Sequence, residues 1–187
     1  MAKPLHVISL IKHLFKGKCV DLGCADGRNL QLLPEGSVGV DIDISRVKRL
    51  EKKFKIVKHN LNKFPYPFKN NSFDTVLITH TLEHLNSPFL ALKEVGRILK
   101  DSGVAIIAVP NPKCIYHDSA TKPYHLYSFC YKDIKNLIKN SGFKIKMEYF
   151  NWPKTRNEFF GKVWNSILRT TFLKDLGPDF WFICTKK

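Results

Sequence analysis

The sequence predicts an α/β fold built on a mostly parallel sheet. Three observations carry that expectation. An apolar, β-prone run over residues 18–22 ends in small residues at Gly23, Ala25 and Gly27, a strand followed by a tight turn. A second such run, 37–41, ends in the carboxylate of Asp41. Strand-like and helix-like segments then alternate as far as residue 110, and alternation of that kind implies parallel pairing through crossover helices.

Taken in order, Leu5, Ile8, Ile11, Leu14 and Phe15 recur at helical spacing and predict an amphipathic helix over 1–16. After the first strand and its turn, Arg28-Asn29 opens a helix carrying Leu30, Leu32 and Leu33. The second strand covers 38–42, and Asp43-Ile44-Ser45 caps a helix over 46–53. A third strand at 55–59 leads into residues 60–68, where Pro65 and Pro67 exclude a helix and shape a loop. The fourth strand lies within 71–78, with Asp74 at its beginning in a structural role. Ser87-Pro88 starts a helix in the favoured way, cap then proline, and that helix runs to Asp101-Ser102-Gly103. Residues 104–109 are almost wholly apolar, as in a central strand buried on both faces, and Pro110-Asn111-Pro112 ends it. A polar, aromatic stretch follows to residue 129, then a helix over 133–143 and a half-exposed strand over 143–150. The last strand covers 179–185, and the aromatic, basic residues between Trp152 and Lys174 predict an inserted helix near 156–173.

The length of 187 residues suits one domain over 1–187. It divides into the N-terminal helix, a nucleotide-binding half over 18–110 and a second half over 111–187 that carries the inserted helix. No apolar run reaches the ~18 residues needed to cross a bilayer, and the N-terminus lacks the unbroken apolar stretch of a signal peptide. A cytoplasmic protein without stable membrane insertion is therefore expected. The five cysteines are dispersed without a Cys-x-x-Cys pair, which suits a reducing compartment and offers no zinc site. No metal is expected. The formal charge of +15 raises the question of a polyanionic partner. The excess is spread along the chain, however, with one dense run from Arg46 to Lys58, so an ordinary solvated surface is the competing explanation.

The turn after the first strand is where a ligand is expected. Small residues let backbone N–H groups approach a bound molecule, and a helix N-terminus behind them favours polar or anionic groups. Asp41 is the type of residue that accepts hydrogen bonds from ribose hydroxyls, with Asp43 as the nearest competitor and a plain cap as the alternative role for Asp43. His80 lies just past the fourth strand, where open α/β sheets place their ligands.

On these residues the sequence resembles the class I S-adenosylmethionine-dependent methyltransferases of the type 11 kind. Asp21 followed by Gly23, Cys24, Ala25 and Gly27 matches the first motif of that family, an acidic residue and then Gly-x-Gly-x-Gly, with Ala25 departing from the commonest form. The segment Ser72-Phe73-Asp74 and the helix–Gly–strand run ending in Pro110-Asn111-Pro112 match further motifs. The resemblance implies a Rossmann-like, three-layer αβα fold with a seven-stranded sheet and an antiparallel C-terminal strand. It implies S-adenosyl-L-methionine as cofactor, bound by Asp21, Gly23, Cys24, Ala25, Gly27, Asp41, Ile42 and His80. Asn60 would stand where the family usually has the acid that contacts the adenine amino group, with Leu61 beside it against the base.

The resemblance also implies transfer of a methyl group to a hydroxyl or amine of a small-molecule, lipid or glycan-linked acceptor. His125 is the leading candidate for acceptor contact or general base, with His80 at the edge of the site and His117, with Asp118, as weaker candidates. Packed histidines are the alternative for each. Glu83 and His84 resemble a catalytic pair, but Leu-Glu-His is common in this family and usually opens a helix. The fourth strand is not followed by Asn-Pro-Pro-Tyr, Asp-Pro-Pro-Tyr or Pro-Cys, which speaks against nucleobase and glutamine amino-methylation and against cytosine C5 chemistry. An RNA acceptor, read from the charge, is the runner-up. A nicotinamide-binding protein is disfavoured, because 60–68 and 72–85 match nothing expected of a dehydrogenase.

Overall fold

The computed structural model of the chain describes residues 7–8, 11–112, 124–151 and 178–187. At its centre lies a seven-stranded sheet of β1 (Cys19–Leu22), β2 (Val38–Asp41), β3 (Lys55–Lys58), β4 (Phe73–Thr79), β5 (Leu99–Pro110), β6 (Phe143–Asn151) and β7 (Asp179–Lys186), in the order β3-β2-β1-β4-β5-β7-β6. Strands β1 to β5 pair in parallel, and β7 runs antiparallel to both β5 and β6. The mostly parallel sheet with an antiparallel C-terminal strand expected from the sequence is the one that forms.

Period-two alternation sends each central strand into two cores. Val76 and Ile78 of β4, Ile107 of β5 and Phe182 of β7 join one. Leu77, Ile106, Trp181 and Ile183 join the other. Helices α1 (Pro88–Ile98) and α2 (Tyr131–Asn140) close the first core with Leu92, Val95, Ile98, Ile134 and Ile138. Val7, Ile8 and Ile11 close the second, together with Leu30, Val47 and Phe54. Both faces of the sheet are therefore covered, as a parallel sheet requires, and three layers result.

Several local expectations are corrected. The helix expected after Arg28-Asn29 is a single 3-10 turn, Leu30–Leu32. Leu33 precedes Pro34 and is already extended, with ψ of 160°, since the proline ring disfavours a helical predecessor. The helix expected over 46–53 is likewise one turn, Lys48–Leu50. Arg46, Lys48, Arg49, Lys52 and Lys53 fall at i,i+3 and i,i+4 spacing, where like charges repel along a helix. Helix α1 begins as expected, Ser87 Oγ accepting the Leu90 N–H at 3.4 Å with Pro88 in the first turn. It stops at Ile98 rather than near 101. Leu99 is fully buried and already paired with Phe73, and β5 then shifts register so that Val104 faces Thr75. Helix α2 follows Cys130, which makes no side-chain cap, and covers Tyr131–Asn140 rather than 133–143.

Asp74 holds the beginning of β4, as expected, by accepting the Lys18 N–H at 2.9 Å and the Lys100 ammonium at 2.8 Å. The remainder of the N-terminal helix, Cys114, His117, Asp118 and the inserted helix near 156–173 lie outside the described residues. Among the described residues, no helix is long and apolar enough to cross a membrane.

Candidate active site

Strand order reverses at β1. The chain proceeds from β1 to β2 and β3 on one side, then returns to β4 and β5 on the other. The crevice at such a reversal, outside the carboxyl ends of the strands, is where open α/β sheets bind ligands. Asp21, residues 23–27, Asp41, Ile42, Asn60 and His80 all stand at the carboxyl ends of β1, β2, β3 and β4.

The loop after β1 is tied to β2. Gly23 and Cys24 both donate to the Val40 carbonyl, at 2.8 and 3.0 Å, and Gly27 donates to the Cys24 carbonyl at 2.7 Å. Ala25, with φ of +47°, donates to Asp41 Oδ2 at 2.8 Å. The backbone N–H groups that the sequence offers to a ligand are thus engaged in shaping the loop. Its glycines answer the same demand. Gly23 has φ of +80°, and a Cβ there would lie 2.2 Å from Thr81 Oγ1; Gly27 has φ of +78°, and its Cβ would lie 2.5 Å from Leu50 Cδ1. The helix N-terminus expected behind the loop is reduced to the Leu30–Leu32 turn. Cys24 is buried in the second core, where burial pushes its thiol pKa up, so only its backbone borders the crevice.

Two carboxylates define the crevice floor. Asp41 accepts from Ala25 through Oδ2 and from the Asp43 N–H through Oδ1 at 3.0 Å, and each oxygen retains lone-pair capacity for a further donor. Asp43 takes the cap-like role, accepting the Ser45 N–H at 2.9 Å, which holds its carboxyl below the usual range. Asp21 is 1% exposed, and neither of its oxygens has a hydrogen-bond partner among the described residues. Burial, with the Asp41 charge adding to it, pushes its pKa up to about 7. Ile42, beside Asp41, is 58% exposed, an apolar side chain presented where a flat ring could cover it.

At the carboxyl end of β3, Asn60 Oδ1 accepts the Asn62 N–H at 2.9 Å, an Asx turn that leaves a second lone pair. Leu61 is buried in the first core. Arg97 of α1 secures the loop that follows, donating to the carbonyls of Phe68 at 2.7 Å and Tyr66 at 3.0 Å, while Glu94 accepts the Tyr66 N–H. The Arg97 guanidinium is the main reason the Glu94 carboxyl lies below its ordinary pKa.

His80, with φ of +51°, leaves β4 with its N–H still donating to Ala108. Its ring stands between two carboxylates, Nε2 at 3.5 Å from Asp179 Oδ1 and Nδ1 at 3.9 Å from Glu83 Oε1. Glu83 is 1% exposed and belongs to a 3-10 turn, Leu82–His84, rather than to a helix. Its backbone carbonyl accepts the N–H groups of Leu126 and Tyr127, which fixes the segment carrying His125. His125 meets His84 edge to face at 4.8 Å between centroids. With Glu83, Pro110, Tyr127 and Phe129 it lines a shallow depression. Candidate residues 45 positions apart, His80 and His125, are therefore linked through Glu83. Glu83 and Asp179 are the site residues that sequence reasoning undervalued or missed. Leu-Glu-His gave a signal for Glu83; Asp179 opens a distant apolar strand and gave none.

A sheet in this order, with a glycine-turn loop tied to an acidic residue on the neighbouring strand, defines a class I methyltransferase-type protein. Comparison with known proteins agrees. Residues 20–107 match the family model described as a methyltransferase domain. A crystal structure of a SAM-dependent methyltransferase from Archaeoglobus fulgidus superposes with a TM-score of 0.69 at 26% identity, covering 97% of this chain and 93% of that one. An uncharacterised Methanocaldococcus jannaschii protein is 31% identical over 163 residues, 82% of this chain and 60% of its own length. A Staphylococcus epidermidis demethylmenaquinone methyltransferase is 30% identical over 118 residues, 57% of this chain and 46% of its own. The chain is thus similar, in sequence over residues 20–107 and in fold over almost its whole length, to the class I S-adenosylmethionine-dependent methyltransferases, whose cofactor is S-adenosyl-L-methionine. It spans 46–60% of the length of these curated relatives.

Proposed function

We propose that the chain transfers a methyl group from S-adenosylmethionine to a hydroxyl or amine of a small-molecule, lipid or glycan-linked acceptor. The observation that carries the cofactor half of this reading is Asp21, a buried carboxylate without a hydrogen-bond partner among the described residues, below a crevice that Asp41 and Ile42 border. A cofactor carrying an ammonium, ribose hydroxyls and a flat base offers a partner to each of the three. When bound, it supplies the electrophilic methyl group, and its sulfonium becomes a neutral thioether on transfer. The residues of the chain then have to hold and align. Asp41 would accept the ribose hydroxyls, Ile42 would pack on the adenine, and the second lone pair of Asn60 would face the base amino group.

The acceptor side is read from the depression beside His125. Its lining is mixed, with Pro110, Tyr127 and Phe129 beside Glu83 and His125, as a small organic acceptor requires. A neutral His125 would take the proton of a hydroxyl as the methyl arrives. Replacing His125 by alanine is expected to lower kcat about 100-fold while leaving the cofactor-induced rise in melting temperature in place. Unchanged turnover would assign His125 to packing.

RNA is the second reading, favoured by the exposed basic residues Arg46, Lys48, Arg49, Lys52, Lys53, Lys55 and Lys58. Transfer of labelled methyl into a fractionated cell extract, with and without ribonuclease, separates the two. Label in small-molecule, lipid or glycan fractions is the expected result; label in an RNA fraction that digestion removes would promote the second. A cytoplasmic location accords with the free thiols of Cys19, Cys24, Cys130 and Cys184.

A further inference from the structure

We propose that Glu83, His84 and His125 form a binding site for a divalent transition-metal ion on the acceptor side of the crevice. One ligand atom from each residue lies within 4.8 Å of the others. One carboxylate and two imidazoles are the donor set that zinc, cobalt and related first-row cations prefer over magnesium or calcium, and three protein ligands leave coordination positions open. An ion about 2.1 Å from each atom would draw them to roughly 3.4 Å of one another, a contraction that side-chain rotation supplies.

The surroundings orient the ligands as metal sites do. His84 Nδ1 lies 3.0 Å from the Tyr124 carbonyl, which can only accept. The Nδ1–H therefore donates to the backbone, and Nε2, the ring atom left for a metal, faces Glu83 Oε1 4.0 Å away. Tyr124 also stacks on the His84 ring, with 5.5 Å between centroids. Glu83 is buried, which strengthens its attraction for a cation, and its own carbonyl fixes the Leu126 and Tyr127 backbone next to His125. The two halves of the site are thus assembled by one residue. The sequence hid it because His125 is far along the chain from Leu-Glu-His and no cysteine takes part.

The metal site stands on these side chains alone. Its role, holding an acceptor oxygen as a further ligand in place of proton removal by His125, rests on the methyl-transfer reading above. That role suits acceptors with a hydroxyl, because a bound divalent cation lowers the pKa of the O–H it holds.

The test is equilibrium dialysis of the full chain against Co²⁺ and against Zn²⁺, read by elemental analysis and by the visible absorption of bound Co²⁺. About one equivalent is expected, with Co²⁺ bands of mixed nitrogen and oxygen ligation. Glu83→Gln, His84→Ala and His125→Ala should each weaken binding by roughly 10-fold or more. A chain that retains neither metal, or variants that bind as tightly as the parent, would overturn the site. Melting with S-adenosylmethionine, run on the same samples, keeps the two readings apart. A cofactor shift without metal binding removes the metal site alone. Metal binding without a cofactor shift supports the site and removes the methyl-transfer role.

Discussion

Asp41→Ala is expected to weaken S-adenosylmethionine binding by roughly 10- to 100-fold, the range for losing hydrogen bonds to a charged acceptor. Two losses combine. The ribose hydroxyls lose their carboxylate, and Ala25 loses the bond that draws its left-handed backbone onto β2. Because Gly23 and Cys24 remain bonded to Val40, the loop keeps its outline and the sheet should stay folded. A melting scan with and without cofactor measures both effects at once. A ligand at 100 times its Kd adds about 2.7 kcal/mol, which shows as several degrees in a domain of this size. Asp43→Ala serves as the comparison, since Asp43 is occupied by its own turn. Normal binding by Asp41→Ala would move the ribose contact to Asp43.

Asp21 is expected to make stability fall as pH rises. Its carboxyl keeps a proton up to about pH 7 in the native state but loses it near 3.8 when the chain unfolds. Between those values the native state binds more protons, so the contribution is fully present below about pH 4 and is lost toward pH 7. The slope is about 1.4 kcal/mol per pH unit, of order 4 kcal/mol across the window. Asp74 and Glu94, whose carboxyls are held low by their cationic partners, act in the opposite sense at acid pH. The quantity to measure is therefore the difference in unfolding free energy between the parent chain and Asp21→Asn from pH 4 to 8. A flat difference would show that Asp21 is ionised throughout. The same shift predicts that cofactor affinity rises through pH 7, because a cationic ligand favours the ionised form, and that Asp21→Asn abolishes this rise.

The sheet was legible because its residues obey one rule at a time. Val76, Leu77 and Ile78 are apolar in succession because both faces are covered, and the strand ends fall within a few residues of where glycine, proline and aspartate punctuate the chain. The small helices were not legible. Apolar spacing at 30–33 (Leu30, Leu32, Leu33) and at Val47 and Leu50 is compatible with a helix, and only Pro34 and the crowding of like charges reduce each to a turn. In the site, Asp41 could be picked out by its place at the end of a strand. Cys24 and Leu61 could not be judged, because a residue's neighbours in sequence do not say whether it faces crevice or core. Glu83 was discounted for the same reason. Its importance comes from His80, His84 and the backbone at 126–127, which converge on it only in three dimensions.

Lys55 and Lys58 are exposed on β3, and Lys144 and Lys146 are exposed on β6, and these two strands are the margins of the sheet among the described residues. A bare margin is a template for another chain, and a row of ammonium groups makes a second copy an unwelcome neighbour. Part of the positive charge that suggests a polyanion can therefore be understood as keeping molecules of this protein apart. High salt, or acetylation of those lysines, would weaken that separation, and colloidal stability would fall before the melting temperature did.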